Sequence, residues 1–311
     1  MKKTLNILAL TFGASLAATL SGQAQLLVSE GFDYAAGNGV LAAEGTGGTG
    51  WAASWTDKNN LSTSSASSLS YTDGSGNTLS TSGGSLIAIA TTTSQTTEPQ
   101  RQLASTFGAM ATANTAQPDT LWMSYLWQGL NTSSTGSLFR QASVMLLQGT
   151  KEYLDIGMPN ISSGTVGTVN PDISLWAANG IAVSPPTSTA PLDSGVAANN
   201  GATDFVLIEM TGTWVAGSAD TINVWINPAL TGATPVGSPQ LTYSGQDLSG
   251  INYLRIQASA INSTYGAAGG EEQVDEINIG DTALDVEPVP EPASLTLVAL
   301  GGALLIWRRK Q

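Results

Sequence analysis

The sequence predicts an all-β protein, an antiparallel β-sandwich, and three observations carry that expectation. Charged residues make up only 11% of the 311-residue chain. Short apolar runs alternate with segments of Gly, Ser, Thr and Asn, the signature of strands and turns. No stretch of helical period competes with the period-two pattern over a comparable length. Two ends stand apart from this body, an N-terminal signal helix and a short C-terminal transmembrane helix. The expected organisation is therefore 1–24 signal peptide, 25–286 ectodomain, 287–292 linker, 293–307 membrane segment and 308–311 basic tip.

The first segment has the three parts of an export signal: Lys2 and Lys3, an apolar stretch over residues 5–20, and small residues at Gly22-Gln23-Ala24. Cleavage by signal peptidase is expected between Ala24 and Gln25. An uncleaved N-terminal anchor is the competing reading.

Within 25–286 the clearest strands fall at 121–128, 143–147, 152–158, 173–177, 204–210, 221–227, 253–258 and 274–279. Within them, Phe205–Met210 and Ile222–Ile226 form a hairpin through a loop at 216–220, and Pro228 stops the second strand. Segment 62–84 is rich in Ser, Thr and Gly and reads as loops with short edge strands. A second polar insertion with three prolines occupies 183–201. Neither marks a domain boundary, and a sandwich of this length is a common single unit.

Between residues 25 and 289 only Lys58, Arg101, Arg140, Lys151 and Arg255 are basic, against 22 carboxylates, a net charge of −17. That argues against nucleic acid, whose phosphates need clustered Lys and Arg. Divalent cations or neutral glycans fit better. The chain has neither Cys nor His, which excludes disulfides, thiolate nucleophiles, Cys/His zinc sites and every Ser-His-Asp triad.

The C-terminal end carries more information. Three prolines in Glu287-Pro288-Val289-Pro290-Glu291-Pro292 remove backbone donors and hold the segment extended. An uncharged span from Ala293 to Trp307 follows, then Arg308-Arg309-Lys310. Fifteen helical residues cover about 22 Å, short of a hydrocarbon core of roughly 30 Å. Such a span suits a transient membrane segment, with the basic tip held on the cytoplasmic side; an ordinary membrane helix is the alternative. Pro290-Glu291-Pro292, the span with Gly301-Gly302 and the basic cluster resemble the PEP-CTERM sorting tail of Gram-negative bacteria, also labelled the ice-binding protein C-terminal domain. The resemblance implies recognition by an exosortase, a membrane protease-transpeptidase. It further implies transient residence in the inner membrane and delivery to the cell surface or exopolysaccharide matrix.

The ectodomain resembles the concanavalin A-like (laminin G-like) jelly rolls. The likeness rests on Glu30-Gly31-Phe32-Asp33-Tyr34, Gly50-Trp51 with Trp55, Val224-Trp225-Ile226-Asn227-Pro228, and the closing run from Val274 to Gly280. It implies two packed sheets, one concave, used for adhesion or glycan binding. Period-two arithmetic puts Trp225 with Asn223 and Asn227, away from Ile222, Val224 and Ile226. Trp122 shares a face with Ser124, and Trp176 with Ser174. These tryptophans are candidates for a sugar-stacking platform, or they pack beneath loops. Glu271, Glu272, Asp275 and Glu276 form the densest acidic group; calcium is the one cofactor it suggests, and a solvated charge cluster is the alternative. Strand alternation aims Asp275 inward with Ile277 and Ile279.

A glycosidase needs a pair of carboxylates and neither His nor Cys. Laminarinase-like enzymes of this fold carry Glu-x-Asp-x-Glu or Glu-x-Asp-x-x-Glu on one strand, and neither run is present. Regular alternation would put Glu152 and Asp155, and likewise Glu272 and Asp275, on opposite faces of their strands. The expected function is therefore a structural or glycan-binding surface module with no catalytic residue, with a secreted glycoside hydrolase or polysaccharide-modifying enzyme as the alternative.

Overall fold

The computed structural model describes residues 25–38, 41, 45–58, 61–90, 96–130, 139–158, 172–181, 192–198, 201–231, 235, 237–261 and 271–287. The signal segment before Gln25 and the sorting segment after Glu287 lie outside them. The described residues form two antiparallel sheets packed face to face.

The nine-stranded sheet runs β15 (Leu241–Gln246), β14 (Asp220–Ile226), β13 (Asp204–Thr211), β8 (Thr120–Gly129), β17 (Glu271–Gly280), β5 (Ser85–Ile89), β4 (Thr63–Ser65) and β2 (Gly37–Asn38), with β1 (Leu26–Glu30) also paired to β17. The eight-stranded sheet runs β12 (Leu192–Ala197), β11 (Asp172–Ile181), β10 (Lys151–Met158), β9 (Phe139–Gln148), β16 (Tyr253–Ile261), β7 (Pro99–Gln102) and β3 (Thr56–Asp57), with β6 (Thr96–Thr97) also on β16. Chain neighbours β8 and β9 belong to different sheets, as do β15, β16 and β17 in turn. Those crossings make the sandwich a jelly roll. All eight strands read from the sequence are present, and the 204–227 hairpin pairs Leu207 with Trp225 and Ile208 with Val224. The polar insertion at 183–201 contributes β12.

Alternation fills the space between the sheets. Leu121, Met123, Tyr125 and Trp127 of β8 meet Val144, Leu146, Leu154 and Ile156 of the facing sheet. A seven-residue helix, α1 (Phe107–Ala113), is capped by Thr106, whose Oγ1 accepts from the Ala109 N–H. The outer face of β8 is buried as well. Trp122 and Leu126 join Phe205, Leu207 and Trp225 in a second core, roofed by Leu69, Tyr71 and Leu79 and by the short helix α2 (Ala283–Val286).

Two bulges change which way side chains point. On β10 the register slips between Glu152 and Leu154, so Tyr153 is the extra residue. On β17 it slips between Asp275 and Asn278, where Glu276 takes a left-handed backbone, φ 49°. The second bulge corrects the expected orientation of Asp275. It lies opposite Leu126 on the outer face, whereas Val274, Ile277 and Ile279 face the core.

Candidate functional site

The motif at the start of the ectodomain builds a buried hub. Glu30, 1% exposed, accepts from Phe32 N at 2.9 Å, Tyr34 Oη at 2.8 Å, Trp55 Nε1 at 2.8 Å and the Arg101 guanidinium. Arg101 also bonds the Gly47 and Ala53 carbonyls and lies 4.8 Å over the Trp51 ring. One carboxylate thus ties β1 and its following loop to β7. Four internal donors on one buried carboxylate give the motif a structural role in the fold.

Two of the three tryptophans proposed for sugar stacking are core residues of the nine-stranded sheet. Trp122 and Trp225 stack on each other with centroids 6.0 Å apart and are 1% and 7% exposed. Their Nε1 groups donate to Gln117 and to the Gly237 carbonyl. Asn223 bridges Glu209 and Thr242 on the same sheet. Asn227, at φ 55°, bonds the Phe205 amide and Asp204 and closes the end of the hairpin. Trp176 lies on the other sheet and is itself buried, 4% exposed. The five residues therefore form no common platform, because segment 68–83 and α2 cover the face that alternation assigned to Trp122 and Trp225.

The acidic group disperses in the same way. Glu272 pairs with Gly129 and Asp275 with Leu126, three positions apart on β8, so their carboxylates leave opposite faces. Glu272 points into the core, where it accepts from Trp127 Nε1 at 2.6 Å. Burial raises its pKa to about 8, against the hydrogen bond from Trp127. Asp275 accepts from Leu69 N and Glu276 N, and burial together with the Glu276 charge raises it to about 8 as well. Among the described residues no three Asp or Glu side chains converge on a metal position.

Among the described residues, an open polar convergence lies on the outer face of the eight-stranded sheet. Register places Trp176, Asp155, Met145, Arg255, Gln100 and Thr56 in one row across six strands. A second row runs Glu152, Leu147, Tyr253 and Gln102. Arg255 stands at the centre. Its Nη2 and Nε donate to Gln100 Oε1 at 2.8 and 3.2 Å, and its Nη1 lies 3.5 Å from Glu152 Oε1. A cleft of about 360 Å³ opens beside it, lined by Thr56, Asp57, Lys58, Glu98, Gln100, Thr150 and Arg255. Lys58 pairs with Glu98 at 3.6 Å on the rim and is mostly exposed.

The bulge at Tyr153 overturns the parity argument for Glu152 and Asp155. They oppose Leu147 and Met145, two positions apart on β9, and so share the outer face. Burial raises both carboxyls; Glu152 and Glu272 add to the shift of Asp155, and Arg255 opposes it. For Glu272 and Asp275 the alternation is regular, and the parity argument holds.

Sequence reasoning passed over Arg255 and Gln100, although a signal was present. Tyr253, Arg255, Gln257 and Ser259 alternate with Leu254, Ile256 and Ala258, a polar stripe on a buried strand. An arginine there, in a chain with so few cations, marks a site with partners.

Two antiparallel sheets joined by jelly-roll crossings, with one polar outer face, make this an antiparallel jelly-roll β-sandwich. Its C-terminal residues 288–310 match the PEP-CTERM protein-sorting motif, so the sandwich carries a sorting signal. No curated protein matches the sequence. Among solved structures, the chain is similar to the metal-free carbohydrate recognition domain of Emp46p, at 9% identity over 74% of this chain and 88% of that one, TM-score 0.40. It is also similar to the alginate lyase Aly36B bound to alginate tetrasaccharide, at 9% identity over 81% and 95%, TM-score 0.41. A third similar structure is the endo-β-1,4-glucuronan lyase of the fungus Trichoderma reesei, at 12% identity over 77% and 94%, TM-score 0.37. Likeness at this level carries no argument about activity.

Proposed function

We propose that this chain is exported, cut at its C-terminal sorting motif by an exosortase, and delivered to the bacterial surface or exopolysaccharide matrix, where the sandwich binds glycan. The reading of the binding site is carried by the Arg255 cleft. A guanidinium, a primary amine, an amide, hydroxyls and carboxylates line one open groove, the donor and acceptor mixture that recognises sugar hydroxyls. Its basic side chains are each paired with a carboxylate, so the groove suits neutral glycans better than polyanions. Titration calorimetry against a panel of surface polysaccharides tests this, comparing wild type with Gln100→Ala and Lys58→Ala. Binding that both variants retain in full would remove the cleft from the proposal.

A second reading is a polysaccharide-cleaving enzyme, favoured by one observation: Glu152 and Asp155 share a face, and both carboxyls are raised by burial. Release of reducing ends from the same panel, lost in Asp155→Asn, would establish it. No turnover on any ligand that the protein binds leaves the binding role.

A further inference from the structure

Both ends of the described chain leave the fold at one corner. β1 begins at Leu26 opposite Gly280, the last residue of β17, and the Asp281 N–H donates to the Gln25 carbonyl at 3.2 Å. α2 turns back onto the same corner. A Cβ on Gly280 would lie 2.5 Å from the Asp285 Cβ and 3.2 Å from the Gln25 carbonyl oxygen, so only glycine lets the three segments meet.

The chain is fastened down to its last described residue. Asn114 Nδ2 donates to the Asp281 carbonyl at 2.8 Å, Ser124 Oγ to the Val286 carbonyl at 2.6 Å, and Glu287 N to the Ala283 carbonyl at 3.0 Å. Thr282 N and Oγ1 both donate to Asp285 Oδ2 at 2.8 Å. Glu287 is fully buried. Pro290-Glu291-Pro292 begins only three residues further on, and three residues reach at most about 11 Å.

An enzyme that grips Glu291 must therefore come up against this corner of the folded domain. That corner exposes two leucines beside the polar Gln25. From Asp281 to Glu287 the one exposed side chain is Leu284, 52% exposed, and Leu26, opposite Gly280, is 42% exposed. Asp281 and Glu287 are buried, and Asp285 is held by Thr282.

We infer that this corner, which carries the exposed Leu26 and Leu284, is the docking surface for the extracytoplasmic face of the membrane protease that cuts the sorting motif. The inference rests on the sorting reading above. It makes the folded domain part of the recognised substrate, in addition to the linear motif. It also sets the order of events, because the corner exists only once β1 and β17 have paired.

The test follows precursor and product by pulse-chase and mass spectrometry in a host that carries an exosortase. Four full-length chains are compared: wild type, Leu26→Asp/Leu284→Asp, and each of these with a flexible Gly/Ser spacer of about twelve residues after Glu287. Both leucines are exposed, so melting of the double variant should match wild type; Leu26→Gln/Leu284→Gln serves if it does not. The expected result is a several-fold slower cut of the double variant in the native chain, and equal rates for the two spacer chains, where the motif is reached without touching the corner. A double variant cut at the wild-type rate, or slowed equally with the spacer, overturns the docking surface. Glu291→Ala separates the underlying reading: if it is cut like wild type, the motif is not the signal and the sorting reading itself fails.

Discussion

The Glu30 hub allows a stability effect to be worked out from the structure. Glu30→Gln keeps the shape of the side chain but replaces one carboxylate oxygen with an NH2 group. Placed at Oε1 that group would face the Phe32 N–H, and placed at Oε2 it would face three donors, while in either case Arg101, 3% exposed, would lose its counter-charge. Removing one partner of a buried ion pair costs about 3–5 kcal/mol, a large part of the roughly 5–15 kcal/mol that holds a domain together. With a urea slope of about 3 kcal/mol/M, at the upper end for domains, the midpoint should fall by about 1–2 M. Arg101→Met keeps an apolar stem against Trp51 and leaves Glu30 its three other hydrogen bonds. Because Arg101 no longer needs a carboxylate in that background, Glu30→Gln/Arg101→Met should be more stable than the two single losses imply, by about 2 kcal/mol. The assay is urea unfolding followed by tryptophan fluorescence on all four proteins. A Glu30→Gln loss below about 1 kcal/mol, or losses that add within about 0.5 kcal/mol, would refute the hub.

Four further outcomes follow from the same structure. Glu272 and Asp275 are raised to about 8 in the fold, so they are neutral there at pH values where the unfolded chain ionises them. The contribution of each is full below its unfolded pKa of about 4 and is lost as pH rises to about 8, at about 1.4 kcal/mol for each step of one in pH between those values. Urea midpoints should therefore drop between pH 5 and pH 8, and less so in Glu272→Gln; an unchanged drop in that variant removes Glu272 as a source. Asn227→Gly keeps the left-handed backbone and loses the side-chain bonds to Phe205 and Asp204, whereas Asn227→Ala adds about 1 kcal/mol of backbone strain. A glycine variant that unfolds before the alanine one contradicts this order. Gly280→Ala forces a methyl to 2.5 Å from Asp285 Cβ and should lower the melting temperature by several degrees; wild-type melting would mean that α2 is free to move. Trp225→Ala opens a cavity in the second core and should cost about 3–5 kcal/mol, a loss read by urea unfolding, with no selective loss of ligand affinity once the protein is folded.

Much of the fold was legible because strand alternation is a local property. Leu254, Ile256 and Ala258 against Tyr253, Arg255 and Gln257 already separate a core face from a polar one. The same arithmetic put Trp225 away from Ile222, Val224 and Ile226, and the structure agrees. Alternation says which side a residue takes; it does not say what lies over that side. The roof of Leu69, Tyr71 and Leu79 comes from a Ser/Thr/Gly-rich segment that reads as loop and lies far from Trp122 and Trp225 in the chain. Bulges escaped for a related reason. They are defined by the pairing of two strands, so Tyr153 and Glu276 look ordinary until β9 and β8 lie beside them.

By itself, then, the sequence determined the sandwich class, the main strands, the acidic and cysteine-free chemistry and the C-terminal sorting motif, since each depends on composition or on residues close together in the chain. Tertiary structure alone decided that Trp122 and Trp225 are core, that Glu272 and Asp275 diverge, and that Glu152, Asp155, Arg255 and Gln100 share one face. Strand order brings β10, β16 and β7 together from points about 50 to 150 residues apart, and no local pattern records which distant strand will be the neighbour.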